Sequence, residues 1–503
     1  MGFGFDQPQI DDVMNMMAEL SPEELDKLLA DGQQGVDNDE LLDYTKACVS
    51  QSKDGFKDRR KKWDQLWQAH ECEIPEYSDK EAWQSKMVTN RPLVTEWQAT
   101  GLVRRAVVDK QNFFSVEPRA SNSDIDKDKA KFWFETLKHF CRTDNANMSV
   151  LFPDAAAMGF AVGTSMAMKP IWNAAEKRLD IEMIEPWNIH RDPDSRPRKP
   201  QSGLFTIHET YMDFHQLRQG EEEGYYVNID QVKSGPERKD SDDRRKEAKR
   251  KGQQDEAHRF RHPIHVYDCY GDVLDKDGEM ILPNARWTIA NDVVIREAAP
   301  LGTPGVRWPI HQFSPLPSVL SFHGYGLYEG VLKMWRFQCN LLNLFLDNEN
   351  WRINRIVEYD PSKLLNEEDS EIYPGALKKV KPGMNGAYTP VEMPNSLMDF
   401  QVLWEMSVKE WEEGSMVTEM IKGDIGQRRI TAKEVELKTQ QSLGVFDTIG
   451  RNVEWGGIQA FTLIKAILAS HMDDFDIPEL AGVLRDNRPF ALLQAPMMPE
   501  QRE

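Results

Sequence analysis

Two clusters of histidine and aspartate hold the residue types that could bind a metal ion. The first is His190, Asp192 and Asp194, and the second is His265, Asp268 and Asp272. Imidazole nitrogen and carboxylate oxygen are common metal ligands. However, Asp192-Pro193-Asp194 is typical of a turn, and in an alternating strand His265 and Asp268 would point to opposite faces. We therefore predict that neither cluster binds a metal ion.

The sequence also lacks the common motifs for catalysis. It contains no G-x-x-x-x-G-K-[ST] phosphate-binding loop, no H-E-x-x-H zinc motif and no G-x-S-x-G nucleophile elbow. Gly324, Gly326 and Gly330 are spaced one residue too widely for a dinucleotide-binding loop, so a turn that leads into a helix is the better interpretation. We therefore predict no catalytic residue, no cofactor and no enzymatic activity.

Composition and charge set further limits. The chain has 503 residues, of which 40% are apolar, and its formal net charge is −21. Excess carboxylate argues against a protein that grips nucleic-acid phosphates, but an acidic surface would let DNA slide past without binding. The five cysteines show no C-x-x-C spacing and are predicted to be reduced thiols. The longest uncharged run, 308–328, contains three prolines, so we expect no membrane span and no direct membrane contact.

The most informative pattern is a polar stripe along an otherwise apolar helix. Its members are alternately four and three residues apart, and they are Glu329, Lys333, Arg336, Asn340, Asn343, Asp347, Asn350 and Asn354. This spacing places them on one helical face, while residues such as Trp335 and Phe345 fill the rest. The pattern predicts a helix that meets water along a narrow face and packs against protein elsewhere. Such a helix suits the wall of a pore, although an ordinary core helix of a large domain shows the same periodicity.

The elements around this helix follow from simpler patterns. Predicted helices lie at 22–30, 132–142 and 152–158, and the sequence from 44 to about 138 shows a helical pattern. Predicted strands lie at 163–168, 179–184, 264–270 and 287–295. A mixed-charge stretch, 233–258, is predicted to be a solvated loop or a frayed helical arm.

Two features follow the striped helix. Prolines and glycines are concentrated in 353–394, which predicts a compact insert of strands and turns. A long amphipathic helix is predicted at 431–472, with Gly456 and Gly457 in its middle. Paired glycines inside a helix predict a kink or the close approach of a neighbouring backbone.

The order of these parts resembles the portal proteins of tailed phages, in particular those of short-tailed phages. Four stretches carry the resemblance. The first, 185–193, looks like a wing strand that ends in an Asp-Pro turn, and the second, 287–290 with 294–297, is similar to the strand pair before the stem. The third resembles the first stem helix and consists of 315–317, 324–326 and the helix that contains Gln338, Asn340, Asn343 and Asp347. The fourth looks like the start of the tunnel helix and consists of 431–435 with Gln440, Arg451 and Asn452. The resemblance covers roughly residues 45–475.

The resemblance implies an α+β portal fold with an α/β wing, a two-helix stem, a small β-containing clip, a long kinked tunnel helix and a helical C-terminal crown. The implied boundaries are 1–43 for an acidic N-terminal segment, 44–322 for the wing, 323–352 for stem helix 1, 353–394 for the clip, 395–421 for stem helix 2, 422–430 for the tunnel loop, 431–472 for the long tunnel helix, and 473–503 for the crown and C-terminal tail.

It also implies a function. Portal proteins form a ring, typically of twelve copies, at one capsid vertex, and dsDNA is packaged and ejected through the ring. The implied partners are other copies of the chain, the terminase large subunit, the major capsid and scaffolding proteins, a head-tail adaptor, and the passing dsDNA. The implied location is the portal vertex of the virion, and the host cytoplasm during assembly.

The resemblance and the charge pattern together give the candidate contact residues. The DNA-channel candidates are Lys422, Arg428 and Arg429 on the tunnel loop, and Lys333, Arg336, Asn340, Asn343 and Asp347 on the striped helix. The candidates for contacts of the clip are Lys378, Lys379 and Lys381. Salt bridges with Asp424 or a neighbouring chain are an equal alternative for the cations of the tunnel loop.

Two functions from other classes compete with a portal. One is a metal-dependent nuclease or hydrolase, which would need a carboxylate cluster in a basic cleft. The other is a head-completion scaffold protein that has no DNA channel.

Overall fold

The structure is a computed structural model, and it describes residues 36–108, 114–120, 123–142, 145–174, 176–232, 263–303, 305–354, 357–363, 381–383, 386, 388–391, 397–415 and 432–472. The predicted helix at 22–30, the charged loop at 233–258, the tunnel loop at 422–430 and the crown at 473–503 lie outside these residues. The described chain mixes helix and sheet, in agreement with the predicted α+β class. It divides into two compact units.

The helices of the described residues are α1 (Asn38–Gly55), α2 (Lys57–His70), α3 (Arg91–Val108), α4 (Asp124–Phe140), α5 (Met148–Val162), α6 (Phe214–Glu222), α7 (Leu332–Ile353), α8 (Leu397–Gly414) and α9 (Ala432–Ser470). The strands are β1 (Ala167–Asn173), β2 (Arg178–Ile184), β3 (Ile189–Arg191), β4 (Phe205–Asp213), β5 (Pro263–Leu274), β6 (Met280–Ala290), β7 (Val293–Pro300), β8 (Val357–Tyr359) and β9 (Tyr388–Pro390).

The first unit is built on an antiparallel sheet. Its described residues are 36–56, 187–195, 201–232, 263–303 and 305–309. The strand order is β3-β4-β5-β6-β7, so neighbours in sequence are neighbours in the sheet. The helix α1 buries Cys48 and Val49 against Phe205 and Trp287. The Trp287 indole Nε1 donates a hydrogen bond of 2.8 Å to Thr45 Oγ1 on α1, which satisfies the polar edge of a fully buried ring.

The predicted strand at 287–295 is two strands. β6 ends at Ala290 and β7 begins at Val293, and they pair as a hairpin. Asn291 and Asp292 form the turn with φ angles of 42° and 68°. Two consecutive residues with positive φ give the tight turn whose twist matches that of a hairpin, and asparagine and aspartate tolerate this conformation better than most residues.

The second unit holds the other helices. Its described residues lie within 57–186, 196–200 and 310–472. The strands β1 and β2 form an antiparallel pair, and α5 is buried along much of its length. The strand predicted at 163–168 begins only at Ala167, because Gly163 ends α5 in the left-handed conformation with a φ of 88°.

The helix predicted at 323–352 begins later than expected. A 3₁₀ turn, Glu329–Val331, precedes α7. The backbone before this turn pairs with other segments, since Leu327 N donates to Phe160 O at 2.7 Å and Tyr325 N donates to Leu316 O at 2.8 Å. These bonds are incompatible with a helix at 323–328, so the predicted start is wrong.

The described part of the predicted insert, 353–394, contains β structure. Glu358 pairs with Thr389 in the middle of the antiparallel β8–β9 ladder. The prediction of strands in this segment is therefore confirmed for β8 and β9. The predicted wing, 44–322, contributes residues to both units, and the wing, stem and clip boundaries stay a prediction.

The long helix is confirmed by α9, and its paired glycines permit close packing. A Cβ atom on Gly456 would lie 2.4 Å from Cγ of Phe313, and one on Gly457 would lie 3.2 Å from Cζ of Phe152. The rings of Phe152 and Phe313 stack on each other at 5.5 Å between centroids. The close neighbours of these glycines are thus aromatic side chains and not the backbone that was expected.

Candidate functional site

The striped helix α7 packs against α8 as an antiparallel pair. Gln338 Nε2 donates to the carbonyl oxygen of Ser407 at 2.7 Å in the buried contact. Closer to the other end, the rings of Phe345 and Phe400 stack at 4.2 Å. These contacts define which residues of α7 and α8 lie side by side, at the same level along the axis of the helix pair.

The polar stripe of α7 binds backbone groups of the same chain. Met87 N donates to Asn343 Oδ1 at 2.8 Å, and Asn343 Nδ2 donates to Met87 O at 3.0 Å. Ser85 N donates to Asp347 Oδ1 at 2.7 Å. Asn343 and Asp347 therefore supply the hydrogen-bond partners that the backbone of Ser85 and Met87 needs, as a neighbouring β-strand would.

The contact continues along the rest of segment 76–89. Tyr77 donates to Asn340 Oδ1 at 2.7 Å, and Arg336 Nη1 lies 3.2 Å from Glu76 Oε1. At the far end of the segment, Trp335 Nε1 donates to Thr89 O at 2.9 Å. Segment 76–89 is thus held to α7 by hydrogen bonds and an ion pair.

The expectation that the polar stripe meets water is wrong for its centre. Asn343 is 1% exposed, because segment 76–89 covers it. Periodicity identifies the polar face of a helix, but it does not reveal whether water or another part of the chain satisfies that face. Lys333 and Asn340 remain exposed.

The surface of α7 that does meet water is largely apolar. Phe337 and Leu344 are 43% and 68% exposed, and Trp351 is 37% exposed. On α8, Met398 is 82% exposed, and Val402 and Met406 are similarly open to solvent. Sequence reasoning missed this surface. The available signal was that apolar residues occupy more than one face of α8, which is typical of a helix with protein on more than one side.

Glu329, the first member of the stripe, holds the start of α7. Arg59 Nη1 lies 2.8 Å from Glu329 Oε2, and Gly326 N donates to the same oxygen at 3.1 Å. Burial raises the pKa of Glu329, but the charge and hydrogen bonds of Arg59 outweigh burial and leave the pKa below its usual value. Arg59 Nη2 also donates to Val162 O at 2.5 Å, which satisfies a carbonyl at the C-terminus of α5.

The side chains of the histidine–aspartate clusters form hydrogen bonds within the first unit. His190 and His265 donate to Glu209 at 2.5 and 2.7 Å, while Asp192 accepts from Leu204 N at 2.7 Å and Asp268 from Tyr270 at 2.6 Å. Glu209 was missed because only the pairing of β4 with β3 and with β5 brings it to His190 and His265. Among the residues that the structure describes, no group of three or more histidine, cysteine, aspartate or glutamate side chains could hold a metal ion.

The other candidates lie partly outside the described residues. The candidates outside the described residues are Lys422, Arg428, Arg429, Lys378 and Lys379. Lys381 is described, and its Nζ donates to the carbonyl oxygen of Ser362 at 2.8 Å. The DNA-channel and clip-contact roles of all these candidates stay predictions.

Comparison with known proteins gives one family. Residues 159–492, more than half of the chain, match the model of the family described as phage SU10 portal protein. The matched range contains α7, α8, α9 and the five-stranded sheet. A search of the curated proteins gives no match. Among the helices of the described residues, none combines the length and the apolar character needed to span a membrane.

Proposed function

This chain belongs to the phage SU10 portal protein family, and from this we propose that its copies form a ring at one vertex of a phage capsid. In our proposal the ring holds twelve copies and encloses the channel through which dsDNA is packaged and ejected. The ring is also the docking platform for the terminase large subunit, the head-tail adaptor, and the major capsid and scaffolding proteins. The protein is then a virion component that passes through the host cytoplasm during assembly.

The observation that carries the ring is the exposed apolar surface of the α7–α8 pair. Leu344 and Met398 are 68% and 82% exposed in the single chain. Burying apolar surface gains about 25 cal/mol per Å², so a contiguous apolar surface favours association. The polar face of α7 is already covered by segment 76–89, and the apolar face is therefore the one left for another chain.

The net charge of −21 supports a channel rather than a tight DNA-binding site. Against this acidic background, we propose that Lys422, Arg428 and Arg429 make brief contacts with phosphates. On α7, Asn343 does not fit a channel-facing role, because segment 76–89 covers it.

The segment that contains β8 and β9 is our candidate for the clip. Its two strands are three residues each, and such a short ladder needs further packing to be stable. We propose that adjacent copies supply this packing and that Lys378, Lys379 and Lys381 face the docked motor or adaptor.

The ring is tested by the mass of the purified chain in solution. Twelve chains of 58.0 kDa form a particle of about 0.7 MDa, which light scattering separates easily from a monomer. Negative-stain electron microscopy of the same sample should show rings with a central channel. A monomer across micromolar concentrations would contradict the proposal.

A further inference from the structure

We propose that adjacent copies in the ring are joined by the exposed face of α7 in one copy and the exposed face of α8 in the next. This inference rests on the proposed ring and names the surfaces that close it. Each copy then uses two different surfaces, as a heterologous interface requires.

The face on α7 is narrow and continuous. At 3.6 residues per turn, the exposed residues Lys333, Phe337 and Leu344 share one side of the helix. At the border of this side, Asn340 and Trp351 contact Tyr77 and Trp83 of segment 76–89. This side lies between the side that binds segment 76–89 and the side that packs on α8. It is therefore a third face of α7, and in the single chain it is open to solvent.

The face on α8 is directed away from α7. Met398, Val402 and Met406 are four residues apart, so they form one line along the helix, and they are 82%, 58% and 61% exposed. The buried residues Ser407 and Trp411 lie on the opposite side. A second helix can therefore pack on the outer side of α8 without disturbing the α7 contact.

The register within one copy indicates how the two faces meet. If the α7–α8 pair runs along the ring axis, residues at one height along the pair in one copy meet the same height in the next, because rotation about the axis does not move a copy along it. Because Gln338 lies level with Ser407 and Phe345 with Phe400, Leu344 should meet Val402 of the next copy.

The charges at the end of the pair agree with this register. Lys333 is exposed at the beginning of α7. At the end of α8, Glu410, Glu412 and Glu413 outnumber Lys409, whose Nζ lies 3.8 Å from Glu413 Oε1, so this end carries net negative charge. Since the helices are antiparallel, these two ends lie at the same level. An exposed lysine that faces the net negative end of α8 in the next copy adds attraction where two copies of a chain with a charge of −21 would otherwise repel. This complementarity is why we assign a second copy of the chain to the surface.

Cysteine cross-linking tests the pairing directly. In the double variant Leu344→Cys/Val402→Cys, mild oxidation of the assembled protein should give a ladder of covalent multimers on a denaturing gel. The matched control is Lys333→Cys/Met398→Cys, in which two exposed positions lie at opposite ends of the pair and should not cross-link. The unmodified chain controls for its five cysteines, of which four are buried and Cys72 is half-buried.

Mixing the single variants sharpens the test. Leu344→Cys assembled together with Val402→Cys should give covalent dimers and no longer species, whereas each single variant alone should give none. A ring of the expected mass without a ladder, or with an intramolecular cross-link, would overturn this pairing and leave the proposed function intact. A chain that stays monomeric by light scattering would overturn both.

Discussion

At the scale of single residues, the most instructive side chain is Asn343. Its position in the polar stripe indicated contact with water, yet it is buried and binds both polar groups of the Met87 backbone. A side-chain amide has one acceptor and two donors, so it can replace a strand partner for one residue. The sequence contains the amide, but it does not show which backbone will need it.

We expect Asn343→Ala to destabilise the protein by about 1–3 kcal/mol, because it removes two hydrogen bonds to the Met87 backbone, each of which contributes about 0.5–1.5 kcal/mol. Urea denaturation measures the loss, and faster hydrogen exchange at the Met87 amide locates it. The control is Asn350→Ala, at an exposed asparagine of the same helix, which should change stability little. Equal losses from the two variants would contradict the role that we assign to Asn343.

A second residue that was not predicted is Glu209, which accepts hydrogen bonds from His190 and His265. Burial raises the pKa of Glu209, but the hydrogen bonds from the two histidines outweigh it and hold the pKa far below its usual range. The ionised carboxylate is thus stabilised in the folded protein relative to the unfolded chain.

This shift predicts a pH-dependent effect of Glu209→Gln. A carboxyl group with a lowered pKa contributes stability above its unfolded-state pKa of about 4.3 and loses that contribution as the pH falls toward the folded-state value. The variant should therefore be less stable than the unmodified chain at pH 7, and the difference should shrink as the pH falls below 4.3. Urea midpoints at several pH values measure it. Glu297→Gln, at an exposed glutamate of β7, is the control, and a difference that does not change with pH would refute the linkage.

At the scale of elements, periodicity predicted the long helices well and their ends less well. The helix α9 was predicted from its amphipathic pattern, and α8 lies within the segment that the resemblance assigned to stem helix 2. The start of α7 was wrong because the 323–328 backbone bonds to Leu316 and Phe160, contacts that no local pattern reveals. β4 and α6 were not predicted, and β4 loses its alternation where both faces are covered.

The paired glycines of α9 lead to a prediction at this scale. Alanine normally stabilises a helix interior by about 1 kcal/mol relative to glycine. For Gly456→Ala we expect the opposite sign, a loss of about 1–3 kcal/mol, because the new methyl group would collide with the Phe313 ring. The control is Gly450→Ala in the same helix, where nothing lies within 4 Å of an added Cβ. Thermal and urea unfolding of both variants measure the contrast, and two stabilised variants would show that Phe313 can move aside.

At the scale of the whole molecule, the net charge and the exposed apolar surface both support the proposed ring with a channel. A chain with a charge of −21 is a poor phosphate binder, and the open faces of α7 and α8 need a partner. The sequence predicted the fold class and the family from the order of its parts. It did not predict which surface remains free for other copies, because that depends on how segment 76–89 folds over α7.

The lack of a catalytic motif also belongs to this scale. We expect the purified chain to leave both ATP and DNA intact when magnesium is added, because the sequence contains no phosphate-binding loop and no motif for activating water. Phosphate release and gel assays on the repurified ring measure this. Turnover that persists through repurification would support the nuclease alternative.

The last prediction concerns the tunnel loop, 422–430, which lies outside the described residues. If this loop lines the channel, Arg428 and Arg429 repeat around the ring as a positive collar within an acidic tube, and their phosphate contacts should weaken with salt. Arg428→Glu/Arg429→Glu should leave the ring mass unchanged, since a loop adds little to the core, and should lower the yield of DNA-filled heads. The matched control is Lys177→Glu/Lys276→Glu, which changes the net charge equally at two exposed lysines. A normal yield of filled heads from the arginine variant would place the collar outside the path of DNA, whereas an equal defect in both variants would assign the effect to total charge.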